Sequence, residues 1–258
     1  MIKVSIIFDK SIYKKNLLKA IKIYYNHNFI INEVSEDISE RIKEIDQGFV
    51  KTLIYGFFDL ERLSYMKSDI TRGQPIEELF SLDKVKLNQI AYDEELIPFN
   101  EGAFDLIISS LSLHFINDLV GTLVQYYRSL RSKGIFIACC FGPNTLKELK
   151  EVFMSCDEKF FKGILPHLIP LIDIKDAARI LQRAGFKNVI SDSYDICVNY
   201  SSLKKLLLDI KGMGQGNCLI ERPKQIFPKS YFSTLEEMYK EKFNLKATFE
   251  IITLTGLK

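Results

Sequence analysis

Between residues 29 and 45 the apolar positions Phe29, Ile30, Val34, Ile38, Ile42 and Ile45 recur mostly every four residues, with Glu33, Glu36, Glu40, Arg41 and Lys43 on the other face. That spacing predicts an amphipathic helix. A preceding helix is expected over residues 13–25, with Leu17, Leu18, Ile21 and Tyr24 inward and a solvated face of Lys14, Lys15, Lys19 and Lys22. The first 46 residues therefore read as helical. Beyond them the pattern changes to short runs of β-formers at 49–56, 85–91, 104–109 and 135–140. The runs at 104–109 and 135–140 are continuously apolar, as strands buried on both faces are. A helix is expected from Asn117 or Asp118, closing near Arg128, Arg131, Lys133 and Gly134. Another should open at a capping box of Thr145 and Glu148. Further helices are expected over 173–184, from Ser201 or Ser202 to Gly212, and over 230–244. Residues 189–193, 195–200 and 247–256 read as extended. Two stretches have no clean period: 61–82, where 64–68 suggests a short second strand ending at Asp69, and 153–171, which suggests a lid or insertion.

Strands alternating with helices, then a late extended pair and a terminal strand, describe an α/β fold with an open, mostly parallel sheet and an antiparallel edge. In such sheets ligands lie at the carboxyl ends of the strands. The central run FDLIISSLSLHF, residues 104–115, turns polar at Ser109, Ser110, Ser112 and His114 before the next helix, which is how a crevice begins. Gly56 ends the first strand, but Phe57 and Phe58 follow where small residues would let a backbone approach a ligand. If they fold inward they fill the pocket. Asp93, Glu94 and Glu95 cannot all be buried without partners and are expected on a rim. An acid at the end of a second strand, the place expected for Asp69, suits a ribose hydroxyl pair. His114 reads as a structural histidine donating to a backbone carbonyl, as a base, or as a substrate contact without proton transfer. The run KGMGQGN, 211–217, follows a helix, the wrong order for a phosphate loop, and reads as a flexible substrate-side loop.

Composition narrows the classes. Hydrophobic residues make up 47% and charged residues 26%, with a net charge of +2 spread along the helices, so no nucleic-acid partner is expected. The five cysteines form no CxxC pair and no metal spacing with the histidines, which suggests free thiols in a reducing, cytoplasmic setting. No two-histidine, one-carboxylate spacing is evident. No apolar run reaches the about 20 residues that an integral membrane segment needs, and the amino terminus lacks a signal-peptide pattern.

Four runs together carry a resemblance: 92–119 around the central strand, IDIKDAARILQRAGF at 172–186, DIKGMGQGN at 209–217, and the closing ATFEIITLTG at 247–256. They resemble the complex I assembly methyltransferase-like proteins, one of which is described as a protein arginine hydroxylase. More distantly they are similar to the biotin-pathway methyltransferase of the malonyl-carrier-protein carboxylate. The resemblance implies a Rossmann-like class I methyltransferase sheet with antiparallel edge and N-terminal helical extension. It also implies one domain over 1–258: a helical extension at 1–46, the first half of the sheet at 49–141, a lid or insertion at 142–171 and a C-terminal half at 172–258. S-adenosyl-L-methionine is the implied cofactor, with Asp93 and its neighbour Glu94 at the adenine, Gly56 at the glycine-rich loop, Asp69 at the ribose, and Ser110 and Leu111 passing the cofactor. His114 falls near the transfer centre, as the catalytic candidate. The implied partner is a protein substrate or assembly partner, a complex I subunit. One departure stands out: 13 positions separate Gly56 from Asp69, where the family commonly has about 20 or more, so no full helix fits there. The expected function is that of a methyltransferase-like protein acting on a protein partner. The alternatives are a non-enzymatic assembly factor with a degenerate cofactor site and a carrier-protein carboxylate O-methyltransferase.

Overall fold

A computed structural model describes residues 6–258 apart from 46 and 86. Helix α1 (Lys10–Ile21) starts at Asp9, whose carboxylate accepts the amides of Ser11 and Ile12. Its buried face is Tyr13, Leu17 and Ala20; Leu18, expected inward, is exposed. Helix α2 (Phe29–Glu44) buries the every-fourth stripe Ile30, Val34, Ile38 and Ile42.

Strands β1 (Lys51–Gly56), β2 (Asp69–Gln74), β3 (Asn88–Ala91), β4 (Phe104–Ser110), β5 (Leu130–Phe141), β6 (Lys187–Asn199) and β7 (Lys246–Leu257) form one sheet of order β3-β2-β1-β4-β5-β7-β6. The first five run parallel, while β7 is antiparallel to both β5 and β6. The strand order reverses between β1 and β4, so their carboxyl ends diverge there and leave the gap in which this architecture places ligands. Helices α3 (Leu119–Ser129), α4 (Lys147–Phe161), α5 (Ile174–Arg183), α6 (Leu203–Gly212) and α7 (Lys229–Phe243) complete the chain. The core is split by the sheet: α1, α2, α4, α6 and α7 pack on one face, α3 and α5 on the other. Asp118, Asp173 and Ser202 cap α3, α5 and α6 as their short polar side chains suggest.

Three expectations are corrected. Residues 64–68 are not a strand; β2 begins at Asp69, which pairs with Lys51 at the start of β1. Thr145 and Glu148 form no capping box. The Thr145 hydroxyl accepts the Glu250 amide, and Glu148 accepts the amide and hydroxyl of Thr248, so both tie α4 to β7. Residues 153–161, read as part of a lid, continue α4, and only the stretch after Phe161 is irregular.

Candidate functional site

Gly56 closes β1 with φ +83°, and a Cβ placed there would lie 2.1 Å from the Ser110 carbonyl oxygen. The neighbouring strand therefore demands glycine on its own account. Phe57 and Phe58, next in the chain, are both buried. Phe57 stacks on Tyr24 with ring centroids 5.5 Å apart and packs against Gly214. Between Gly56 and β2 there is only a short 3-10 turn (Leu60–Leu63), so the chain has no helix there to hold a wider loop open.

From the other side α1 lies over the strand ends. Tyr13 rests on Phe115 at 4.7 Å, and Lys10 pairs with Glu95 at 2.5 Å and Asp93 at 3.5 Å. The space left between Lys10, Tyr13, Tyr55, Asp93 and Phe115 is about 10 Å³, about one water. Both phenylalanines are buried, and α1 lies over the crevice, which the helix pattern alone did not announce.

The expected cofactor residues separate. Asp93 stays at the crevice mouth, about a third exposed. Glu94 does not join it on the rim. It is buried, and its Oε1 accepts from the hydroxyls of Ser109 at 2.8 Å and Tyr126 at 2.7 Å. Burial pushes its pKa up, against those hydroxyls. Glu94 is therefore corrected from an exposed rim residue to a buried one, held by these hydroxyls at the wall of the remaining space. Glu95 is also committed, accepting the amides of Asn117 and Asp118. Asp69 lies at the amino end of β2, across the sheet from the crevice, and accepts from Asn88. The ribose assignment fails there for a geometric reason. The carboxyl end of β2 is Gln74, whose Nε2 donates to the Gly56 carbonyl.

Ser110 and Leu111 are on the crevice floor and buried, the Ser110 hydroxyl without a hydrogen-bond partner. Leu111 has φ +53°, its amide donates to Cys139 O, and its carbonyl accepts from Gln215. His114 is buried beside Phe115 and Phe141 and does not donate to a backbone carbonyl. Its Nε2 lies 2.6 Å from Gln215 Oε1, while Gln215 Nε2 donates to Leu111 O and Met213 O. Those two carbonyls orient the amide, so Gln215 presents its oxygen to the ring and His114 carries its proton on Nε2. Nδ1 is left as a buried acceptor with no partner. Burial lowers the His114 pKa to about 4, so the ring is neutral at physiological pH. Sequence reasoning missed Gln215 and Lys10; the one available signal for Gln215 was its place in the glycine-rich run. That run is packed rather than loose, with Gly212 against His27, Gly214 against Leu17 and Gly216 against Asn16.

A sheet of this order, with its crevice at the β1/β4 reversal, is the class I methyltransferase fold. Residues 64–138 match the family model described as a methyltransferase domain. The chain belongs to the NDUFAF5 family: it is 31% identical over 244 residues to "Arginine-hydroxylase NDUFAF5, mitochondrial" of Mus musculus, covering 90% of this chain and 71% of that one. A malonyl-[acyl-carrier protein] O-methyltransferase of Gallionella capsiferriformans is 29% identical over 166 residues, covering 63% of this chain and 55% of that one. Among solved structures, Haemonchus contortus phosphoethanolamine N-methyltransferase 2 in complex with S-adenosyl-L-methionine aligns with a TM-score of 0.54 at 15% identity, over 95% of this chain and 57% of that one. That neighbour shares the fold, and S-adenosyl-L-methionine is the ligand of its complex. In the arrangement described, Tyr13, Tyr55 and Phe115 narrow the crevice, with Asp93 at its mouth and Gly56, Ser110 and Leu111 at the ends of β1 and β4.

Proposed function

We propose that this chain works on a protein partner in the assembly of respiratory complex I, using the methyltransferase fold as a binding scaffold. The observation that carries the proposal is the NDUFAF5 match over 90% of the chain, coexisting with a crevice that the chain's own aromatic side chains narrow. The complex I partner comes from the family resemblance, and the relatives' name points to an arginine-bearing protein as that partner. All five cysteines are free. Among the described residues no helix is long and apolar enough to cross a membrane.

A second reading, an S-adenosylmethionine-dependent methyltransferase acting on the same partner, is favoured by the domain match and by the half-open Asp93. In that reading α1 leaves the crevice when ligand binds, and the apparent affinity falls by the fraction of molecules already open. Titration calorimetry with S-adenosylmethionine and S-adenosylhomocysteine separates the two. No heat of binding up to millimolar ligand supports the scaffold, with capture of complex I assembly intermediates as the next measurement. Micromolar binding overturns it in favour of the transferase, and Asp93→Ala should then weaken binding by about 1.5–3 kcal/mol, as for loss of a hydrogen bond to a charged group.

A further inference from the structure

A large open space lies beside the narrowed crevice. A cavity of about 890 Å³, open to solvent on one side, is bordered by α4, α6, Asn16 of α1 with Ile6 and Ile7 ahead of it, the ends of β5 and β7, and the two irregular segments 163–173 and 213–221. Folded interiors rarely leave voids larger than a water molecule, whereas ligand pockets run to about 300–1,000 Å³. Its wall is dominated by apolar side chains, among them Leu149, Phe153, Ile169, Leu207, Ile210 and Phe249. Water there finds few partners, so an apolar occupant gains by displacing it.

The walls are braced. Asn217 Nδ2 donates to the carbonyls of Pro166 at 2.6 Å and His167 at 2.9 Å, and Asn16 donates to Gly216 O. His167 is itself held by the buried Asp157 at 2.9 Å and stacks on Phe153 at 4.1 Å. The two segments that border the cavity are therefore pinned to each other and to the helices, and a pocket shaped in advance loses little entropy on binding.

Charge decides the head group. Lys150 and Lys211 lie on the wall, and among the described residues neither makes an ion pair; Glu221 is the one acid beside them. With His167 tied to Asp157, the wall carries a surplus of positive charge. A free guanidinium or ammonium is disfavoured there, and an anion on an apolar tail is favoured. We infer that this cavity binds a single-tailed anionic amphiphile, the tail along the wall formed by α4 and α6 and the head group at Lys150 and Lys211. The inference stands apart from the proposed complex I role.

The test uses the full chain and dodecanoate below its micelle concentration, followed by displacement of dansyl-undecanoate fluorescence. Dodecanoate should bind at micromolar concentration, and dodecylammonium at least ten-fold more weakly. Lys150→Glu with Lys211→Glu should weaken dodecanoate at least ten-fold, and Leu168→Trp, which fills the cavity from its rim, should abolish binding while circular dichroism stays unchanged. Phosphatidylcholine vesicles with and without lysophosphatidic acid identify the natural source. Binding of dodecanoate alone points to a free fatty acid, and lysophosphatidate binding that Leu168→Trp abolishes points to a membrane-derived lysolipid; both support the inference. Equal affinity for dodecylammonium, or binding that survives Leu168→Trp, overturns it.

Discussion

Gly56 illustrates how a residue is recognised from sequence on one ground and fixed in the structure on another. Its place at a strand end suggested cofactor approach, yet its φ of +83° and the Ser110 carbonyl 2.1 Å from a would-be Cβ require glycine with no ligand present. Gly56→Ala should cost about 2 kcal/mol or more, from left-handed backbone strain plus the steric contact. Urea unfolding without any ligand measures it, and a cost near zero would return the glycine to a purely ligand-binding role. His114 was legible as a special residue because it ends a polar switch. Its partner was not, since Gln215 lies 101 positions away and a lone glutamine carries no pattern. The histidine's protonation follows from its burial. Its pKa is about 4 in the fold and about 6.5 when unfolded, so between those values the unfolded chain binds more protons and stability falls as pH falls. The loss from pH 7 to pH 4 is about 3 kcal/mol at about 1.4 kcal/mol per pH unit. His114→Phe should start lower, because Gln215 Oε1 loses its donor, yet lack that share of the acid slope. Urea midpoints at the two pH values give the comparison, and equal slopes in both proteins would refute the assignment.

Among the elements, those with a clear period were legible: α2, α5 and the apolar strand β4 stand close to where their patterns put them, whereas α3 stops at Ser129 and β5 begins at Leu130, ahead of the expected boundary at Gly134. Strand β2 was misplaced because its sequence, DITRGQ, offers no alternation and buries Arg72 and Gln74. Period-based reading takes arginine for a surface residue, and here the guanidinium is buried by pairing with Asp83 at 3.3 Å and reaching the Ile54 carbonyl. Burial of such a pair stabilises weakly, while breaking it strands a charge. Asp83→Leu alone should cost about 3–5 kcal/mol, and adding Arg72→Met should return most of that loss. A double-mutant cycle by urea denaturation tests this; additive costs would mean that the pair does not hold β2 and its following turn in place. The Thr145 and Glu148 pair misled for a related reason. Their spacing suits a helix start, but β7 arrives with unpaired amides and takes both side chains. Only the tertiary partner decides between those uses.

For the whole molecule the sequence conveyed the sheet class and the terminal antiparallel strand, and it singled out Phe57 and Phe58, which are buried. It could not convey that α1 lies across the crevice, because an amphipathic stripe says that a face is buried and not what buries it. The consequence is mechanical. Any ligand reaching Asp93 must contend with Lys10 and Tyr13, so opening of α1 sets whether the crevice is used. The helix is attached through Tyr13, Leu17 and Ala20, the Phe8 to Leu219 bridge, and the ion pairs of Lys10, which are partly exposed and worth about 1 kcal/mol or less. Strands β4 and β5, by contrast, are buried almost throughout. Segments with few buried apolar contacts open before the global transition. Native-state hydrogen exchange in low denaturant should therefore show the α1 amides exchanging through an opening of lower free energy than those of β4 and β5. If they instead merge with the global unfolding isotherm, α1 is part of the core and the crevice opens only by unfolding. The methyltransferase reading would then lose its route to the cofactor, and the scaffold reading would stand.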